Sequence, residues 1–277
     1  MNSLVFFGVS FPLIPFLGLS ALLLMAIGNR LLPFGVPGLI DRIISRVFVA
    51  LIVSRMVFVV QYRDQYFSDE TPAFAIVDIR DRGFEPVAFL VVMALGLGHM
   101  LLREPRLRRP LLVLMATALV WVGAGMMLFK YTHSTPQNWP EYSFRDLTGN
   151  PEPLRSGVAN MTVVNLWATW CPSCRTEMPV FEQAQYSYPH VRFIMLNQGE
   201  SKTEVADFIE AEGYQFDNLW LDTDGRMGHW FGQSALPVTL VFNKEGKLLT
   251  GHMGVMSAAV LEQLLTEGSG LSLPSHF

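Results

Sequence analysis

Cysteine is nearly absent from this chain: 277 residues hold two. That is too few for a fold stapled by several disulfides. Charge is also scarce, at 16% of residues, and slightly negative in sum, with no basic block of the kind that tracks a phosphate backbone. A nucleic-acid partner is excluded on that ground. Internal repeats and low-complexity tracts are missing too, so solenoid and array architectures do not apply. What the chain has in excess is apolar residues, 51% of the total, and they are spread unevenly. The first half carries long hydrophobic runs, while the second has ordinary globular composition.

Four apolar segments occupy residues 4–28, 43–62, 86–102 and 110–129. A helix crosses the hydrocarbon core with about 20 residues, and about 17 is the lower limit. The reading is therefore an α-helical membrane domain over residues 1–130 with about four transmembrane helices. Arg30, Arg42 and Arg46 flank the first connection, and Arg103, Arg106, Arg108 and Arg109 fill the third. The second connection is acidic, with Asp64, Asp69, Glu70, Asp78, Asp81 and Glu85 against three arginines. Lys and Arg collect on the cytoplasmic side. The first and third connections are then cytoplasmic, and the second connection and all that follows residue 129 lie outside. The leader Met1-Asn2-Ser3 lacks the positive region of a signal peptide, so the first segment is expected to remain as an anchor. Arg55, inside the second segment, is either paired within the bundle or functional, and His99 is expected to be ordinary.

Residues 131–142, YTHSTPQNWPEY, read as a short extended spacer. Roughly 12 residues reach at most ~40 Å, which leaves the next domain near the membrane face and free to rotate.

From residue 143 the pattern is α/β. Residues 161–167 (MTVVNLW) and 191–196 (VRFIML) read as buried strands. Helices are expected over 175–186, over 202–212 behind the capping box Ser201-Lys202-Thr203-Glu204, over 225–231, and over 257–266. Further strands are expected over 218–221, 238–242 and 247–251, the last two joined by the turn Asn243-Lys244-Glu245-Gly246. This order predicts an α/β domain about a central mixed sheet, over residues 143–277.

Both cysteines lie in Trp170-Cys171-Pro172-Ser173-Cys174, between the first strand and the first helix. Residues 164–179 (VNLWATWCPSCRTEMP), Asn197-Gln198-Gly199-Glu200-Ser201, Leu221-Asp222-Thr223-Asp224, Leu236-Pro237-Val238-Thr239 and Asn243-Lys244-Glu245-Gly246-Lys247 together resemble the TlpA/ResA branch of the thioredoxin superfamily. The resemblance spans about residues 141–268. It implies a thioredoxin-like fold, a redox-active dithiol, a cis-proline at Pro237 that sets the Leu236 backbone beside the sulfurs for a client strand, and an acid at Glu177 that tunes thiol pKa. It also favours reduction of client protein disulfides. The membrane half has a weaker resemblance to the prolipoprotein diacylglyceryl transferase membrane fold, through residues 54–60 (SRMVFVV) and 79–84 (IRDRGF). That family's downstream Gly-Arg-x-Gly-Asn-Phe motif is absent here, and none of its catalytic residues is carried over.

The attacking species in disulfide exchange is the thiolate. A helix N-terminus presents unpaired N–H groups and partial positive charge. Cys171 would sit there with its pKa below the free value of ~8.5, as nucleophile. Cys174, one turn inward, would resolve the mixed disulfide. Glu177 shares the helix face of Cys174. Trp170 either shapes client access or joins the core. A purely structural disulfide closing so short a loop stabilises little, and a zinc site would need two more ligands. Copper delivery stays open through Gly251-His252-Met253-Gly254.

The expectation is a multi-pass protein of the bacterial inner membrane, with a periplasmic oxidoreductase domain and neither cofactor nor metal. Its partners would be disulfide-bearing client proteins and the lipid bilayer. The membrane half has no cysteine, so a separate membrane thiol reductant is implied. The alternatives are an oxidase or isomerase of the same fold, a lipid-modifying membrane enzyme with an accessory redox domain, and a copper-delivery module.

Overall fold

The computed structural model describes residues 3–6, 9–33, 35–67, 73–132, 138–153, 159–232 and 235–269. In the N-terminal half, β1 (Ser3–Phe6) and β2 (Val9–Pro12) form an antiparallel hairpin. The helices α1 (Leu13–Leu31), α2 (Leu39–Gln61), α3 (Arg63–Tyr66), α4 (Pro86–Arg103) and α5 (Arg108–Thr132) follow. The first apolar run is thus split: Ser3–Phe6 and Val9–Pro12 are strand, and the helix starts only at Leu13, because Pro12 and Pro15 permit a helix start but not a helix interior. Three helical stretches among the described residues, Leu39–Gln61, Pro86–Arg103 and Pro105–Leu128, are long and apolar enough to cross a membrane. The fourth, Pro15–Leu31, is shorter. Of the spacer, residues 133–137 lie outside the described residues, as do Asp69 and Glu70 of the acidic connection and Met1 and Asn2 of the leader.

The C-terminal half is an α/β sandwich. Its elements are β3 (Ser143–Asp146), β4 (Pro151–Pro153), β5 (Met161–Trp167), α6 (Pro172–Ser187), β6 (Val191–Gln198), α7 (Lys202–Glu212), β7 (Leu219–Asp222), α8 (Arg226–Trp230), β8 (Val238–Asn243), β9 (Leu248–Met253) and α9 (Ala258–Ser269). The strands form one mixed sheet in the order β4-β3-β7-β6-β5-β8-β9. Strand β6 lies parallel to β5 and to β7, whereas β8 runs antiparallel to β5. Every residue of β5 is buried, as expected for a central strand covered on both faces. The capping box opens α7, Gly213 closes it in the left-handed conformation, and Asn243 Oδ1 accepts the Glu245 and Lys247 N–H groups to turn β8 into β9. The short strands β3 and β4 were not anticipated. They extend the sheet at the β7 edge, and Pro151 and Pro153 cap it with residues that cannot donate to a further strand.

The two halves are not free of each other. Phe58, Val59 and Tyr66 from α2 and α3 belong to the same hydrophobic cluster as Met256, Val260 and Leu264. Gln65 donates to Glu262 at 3.1 Å. The expected free rotation therefore gives way to a packed interface, because the aromatic C-terminal end of α2 finds an apolar helix face to cover.

Arg55 organises that end. Nε donates to the Ile76 carbonyl, Nη1 to Asp81 and the Gly83 carbonyl, and Nη2 to the Ala75 and Asp78 carbonyls, at 2.7–3.3 Å. These bonds occupy all five of its N–H groups. Asp81, buried with it, also accepts the Tyr66 hydroxyl at 2.8 Å and the Gly83 N–H at 3.0 Å. Of the two readings of Arg55, pairing within the bundle is the observed one, and no donor is left for a lipid phosphate. Gly83 is required because a Cβ there would strike Phe58 and come within 2.6 Å of Arg55 Nη1. Replacing Arg55 with Met strands a buried carboxylate. This costs about 3–5 kcal/mol, read as faster hydrogen exchange across residues 75–83 than in the unsubstituted protein.

Candidate active site

The all-buried β5 ends at Trp167 and delivers the chain to the start of α6. Cys171 is the N-cap of that helix and Pro172 follows at its first position, where a missing N–H costs nothing. The Cys174 N–H points at Cys171 Sγ, 3.2 Å away. The two sulfurs are bonded, with Cα atoms 5.3 Å apart. Cys174 is fully buried, while Cys171 is 5% exposed. Trp170, one residue earlier, is 68% exposed, which removes the core reading for this indole and leaves it standing at the surface next to the dithiol.

The segment before the cysteines is anchored by Glu200, a residue the sequence reading quoted but gave no role. Its carboxylate accepts the Thr169 N–H at 2.8 Å, the Thr169 hydroxyl, and the Asn197 side-chain amide at 2.5 Å. A buried carboxylate with three donors is well compensated. It ties the 168–171 turn to the end of β6.

Glu177 is completely buried. Its Oε1 accepts from Asn165 Nδ2 at 2.6 Å, and its Oε2 accepts the Met256 N–H at 2.7 Å. Asn165 Nδ2 also reaches Thr239 Oγ1 at 3.2 Å, while Asn165 Oδ1 has no partner. Burial pushes the Glu177 carboxyl up to about 8, against the opposing pull of its two hydrogen bonds. Three polar residues from β5, β8 and α6 thus meet one turn beyond Cys174. Asn165 and Thr239 were missed from sequence. The available signal was a polar residue inside each of two otherwise apolar strands, since burying such a group requires a partner.

The Leu236–Pro237 peptide bond is cis. The Pro237 carbonyl accepts the Gly254 N–H at 3.1 Å, which joins the 236–237 corner to the 254–257 turn that also supplies the Met256 N–H to Glu177. His252 lies on β9 opposite Thr239. Burial, helped by the Arg82 charge, holds its imidazole down at about 4. The structure therefore gathers Cys171, Cys174 and Glu177 on α6 and sets Pro237 at the neighbouring corner.

A disulfide-bonded pair at a helix N-terminus, with a buried acid one turn on, is the layout of a thiol–disulfide oxidoreductase. Residues 137–265 match the Redoxin family. Thiol-disulfide oxidoreductase ResA of Bacillus subtilis (strain 168) is 28% identical over 128 residues, covering 46% of this chain and 71% of ResA. Thioredoxin-like protein YneN of the same organism is 28% identical over 133 residues, covering 47% of this chain and 77% of YneN. The crystal structure of StoA from Bacillus subtilis aligns with a TM-score of 0.39 at 22% identity, over 46% of this chain and 95% of StoA. Residues 137–265 are a Redoxin domain with a ResA-like thioredoxin fold. The protein is a thiol–disulfide oxidoreductase.

The raised Glu177 has a consequence for stability. Between the ordinary carboxyl value of 4.5 and about 8, the unfolded chain ionises this residue while the folded one keeps its proton. Stability therefore falls as pH rises through that window, by up to about 1.4 kcal/mol per pH unit. Glu177→Gln removes this slope. The denaturant midpoint of the oxidised variant should stay flatter across the window than that of the unsubstituted protein.

Proposed function

We propose that this is a membrane-anchored oxidoreductase of the bacterial inner membrane whose dithiol reduces client disulfides in the periplasm. In this reading residues 1–130 form the transmembrane domain, 131–142 the linker and 143–277 the catalytic domain. The observation that carries it is the Cys171–Cys174 pair at the head of α6, with Glu177 buried on the same face. Helix N–H groups and dipole favour a thiolate at Cys171. That thiolate attacks one sulfur of a client disulfide, forming a mixed disulfide and expelling the other client sulfur as thiolate. Cys174 then attacks Cys171 Sγ and releases the second client thiol. Two electrons pass from the enzyme dithiol to the client, and Cys171 and Cys174 end bonded as they are here. The ionised fraction of Glu177, a base made stronger by its raised pKa of about 8, takes the Cys174 proton as that thiol becomes nucleophilic and passes it to the departing client thiolate. Pro237 and the Leu236 backbone receive the client strand, and Trp170 guards the approach.

The orientation reading draws support from one ion pair. Arg42, on the first arginine-rich connection, meets Glu104 of the third at 2.7 Å, so these two connections share one end of the bundle. The acidic second connection and the Redoxin domain share the other, through Gln65 and Glu262. The positive-inside rule then puts the first end in the cytoplasm. No cysteine lies among residues 1–130, so a separate membrane thiol reductant must restore the dithiol.

Cys174→Ala, expressed in cells, should accumulate mixed disulfides on Cys171 that non-reducing gels resolve and mass spectrometry identifies. An empty trap would refute the client reading. The reduction potential separates the two directions of flow: a value near thioredoxin's, about −270 mV, supports reduction, and one near DsbA's, about −120 mV, supports oxidation.

A further inference from the structure

The loop that Arg55 ties down carries a second arginine, Arg82, and its setting differs from every other charge in that loop. Arg80 is paired with Asp78, and Arg55 with Asp81. Arg82 is exposed, and its side chain makes no hydrogen bond or ion pair among the described residues. Its φ is +54°, the left-handed region that a side chain other than glycine seldom occupies. It is held there from both sides: its own N–H donates to the Ile79 carbonyl at 3.0 Å, and the next N–H, of Gly83, donates to Asp81. Strain fixed by surrounding bonds is a mark of functional loops.

The position so enforced is at the redox site. A Cβ on Gly254 would stand 3.4 Å from the Arg80 carbonyl and 3.8 Å from the Arg82 guanidinium. Gly254 itself donates to the Pro237 carbonyl. The guanidinium is therefore one residue removed from the corner where a client strand is received. A strand advances about 3.3 Å per residue, so a client residue one to three places from its cysteine comes within reach. His252, whose imidazole feels the Arg82 charge, is held at about 4 by burial first and is neutral at physiological pH.

We propose that Arg82 is a specificity-determining residue lent to the redox site by the membrane half, and that it selects clients with a carboxylate side chain flanking the disulfide. This rests on the reading of the Cys171–Cys174 pair as a reductant of client disulfides. An exposed cation acts mainly through encounter and register, and its effect fades with salt.

The test uses the full chain, reduced, in lipid nanodiscs, with two synthetic peptides that share one internal disulfide and differ only in carrying Glu or Lys beside it. At low ionic strength the Glu peptide should be reduced about fivefold faster, with the gap closing as salt is added. Arg82→Lys should keep the order, and Arg82→Glu should reverse it in favour of the Lys peptide, a gain that a misfolded variant cannot produce. Equal rates for both peptides would overturn the role of Arg82 while leaving the reductase reading intact. Failure to reduce either peptide would overturn the reductase reading, and this inference with it. A preference seen only in discs with anionic lipid would mean that Arg82 meets headgroups rather than clients, which also overturns it.

Discussion

A helix begins with N–H groups that its own turns cannot satisfy, and in α6 a sulfur stands where that need arises. The Cys174 N–H bonded to Cys171 Sγ puts the reactive atom at the positive end of a dipole. Much of the surrounding architecture keeps this end in place. Strand β5, buried along its whole length, carries the chain to the junction, and Glu200 grips Thr169 just before the turn. Loosening either would move the sulfur off the helix axis.

The second constraint is a carboxyl held where water does not reach. Glu177 has only an amide, a backbone N–H and apolar neighbours, which is why its proton is retained far above the ordinary range. Its partners come from β5, before the cysteines, and from the 254–257 turn. That turn is the meeting point of three systems: the acid, the cis-proline corner and the loop clamped by Arg55. The cysteine pair of α6 and the arginine of α2 are therefore joined through a few residues.

The central elements could be read from the chain because their signals are local. The β-branched run of β5, the Ser201–Glu204 box and the Asn243–Gly246 turn each predict their own conformation, and each forms as expected. The Trp170–Cys174 motif was legible for the same reason. Strands β3 and β4 were not: three or four residues with two prolines carry no periodicity, and only the waiting edge of β7 makes them strands. The roles of Asn165, Thr239 and Glu200 were equally hidden. A polar residue in a strand shows that a partner must exist, but only the fold names it. Arg55 was visible as an anomaly, and its meaning came from bonds to five residues 20 to 28 positions away.

The cluster shared by α2, α3 and α9 also bears on how this protein can be handled. Val260 and Leu264 are covered partly by residues that belong to the helical half. A fragment cut in the spacer would lose that cover and bare an apolar strip beside the 254–257 turn. Such strips self-associate, so the excised domain would carry a built-in tendency to stick to itself.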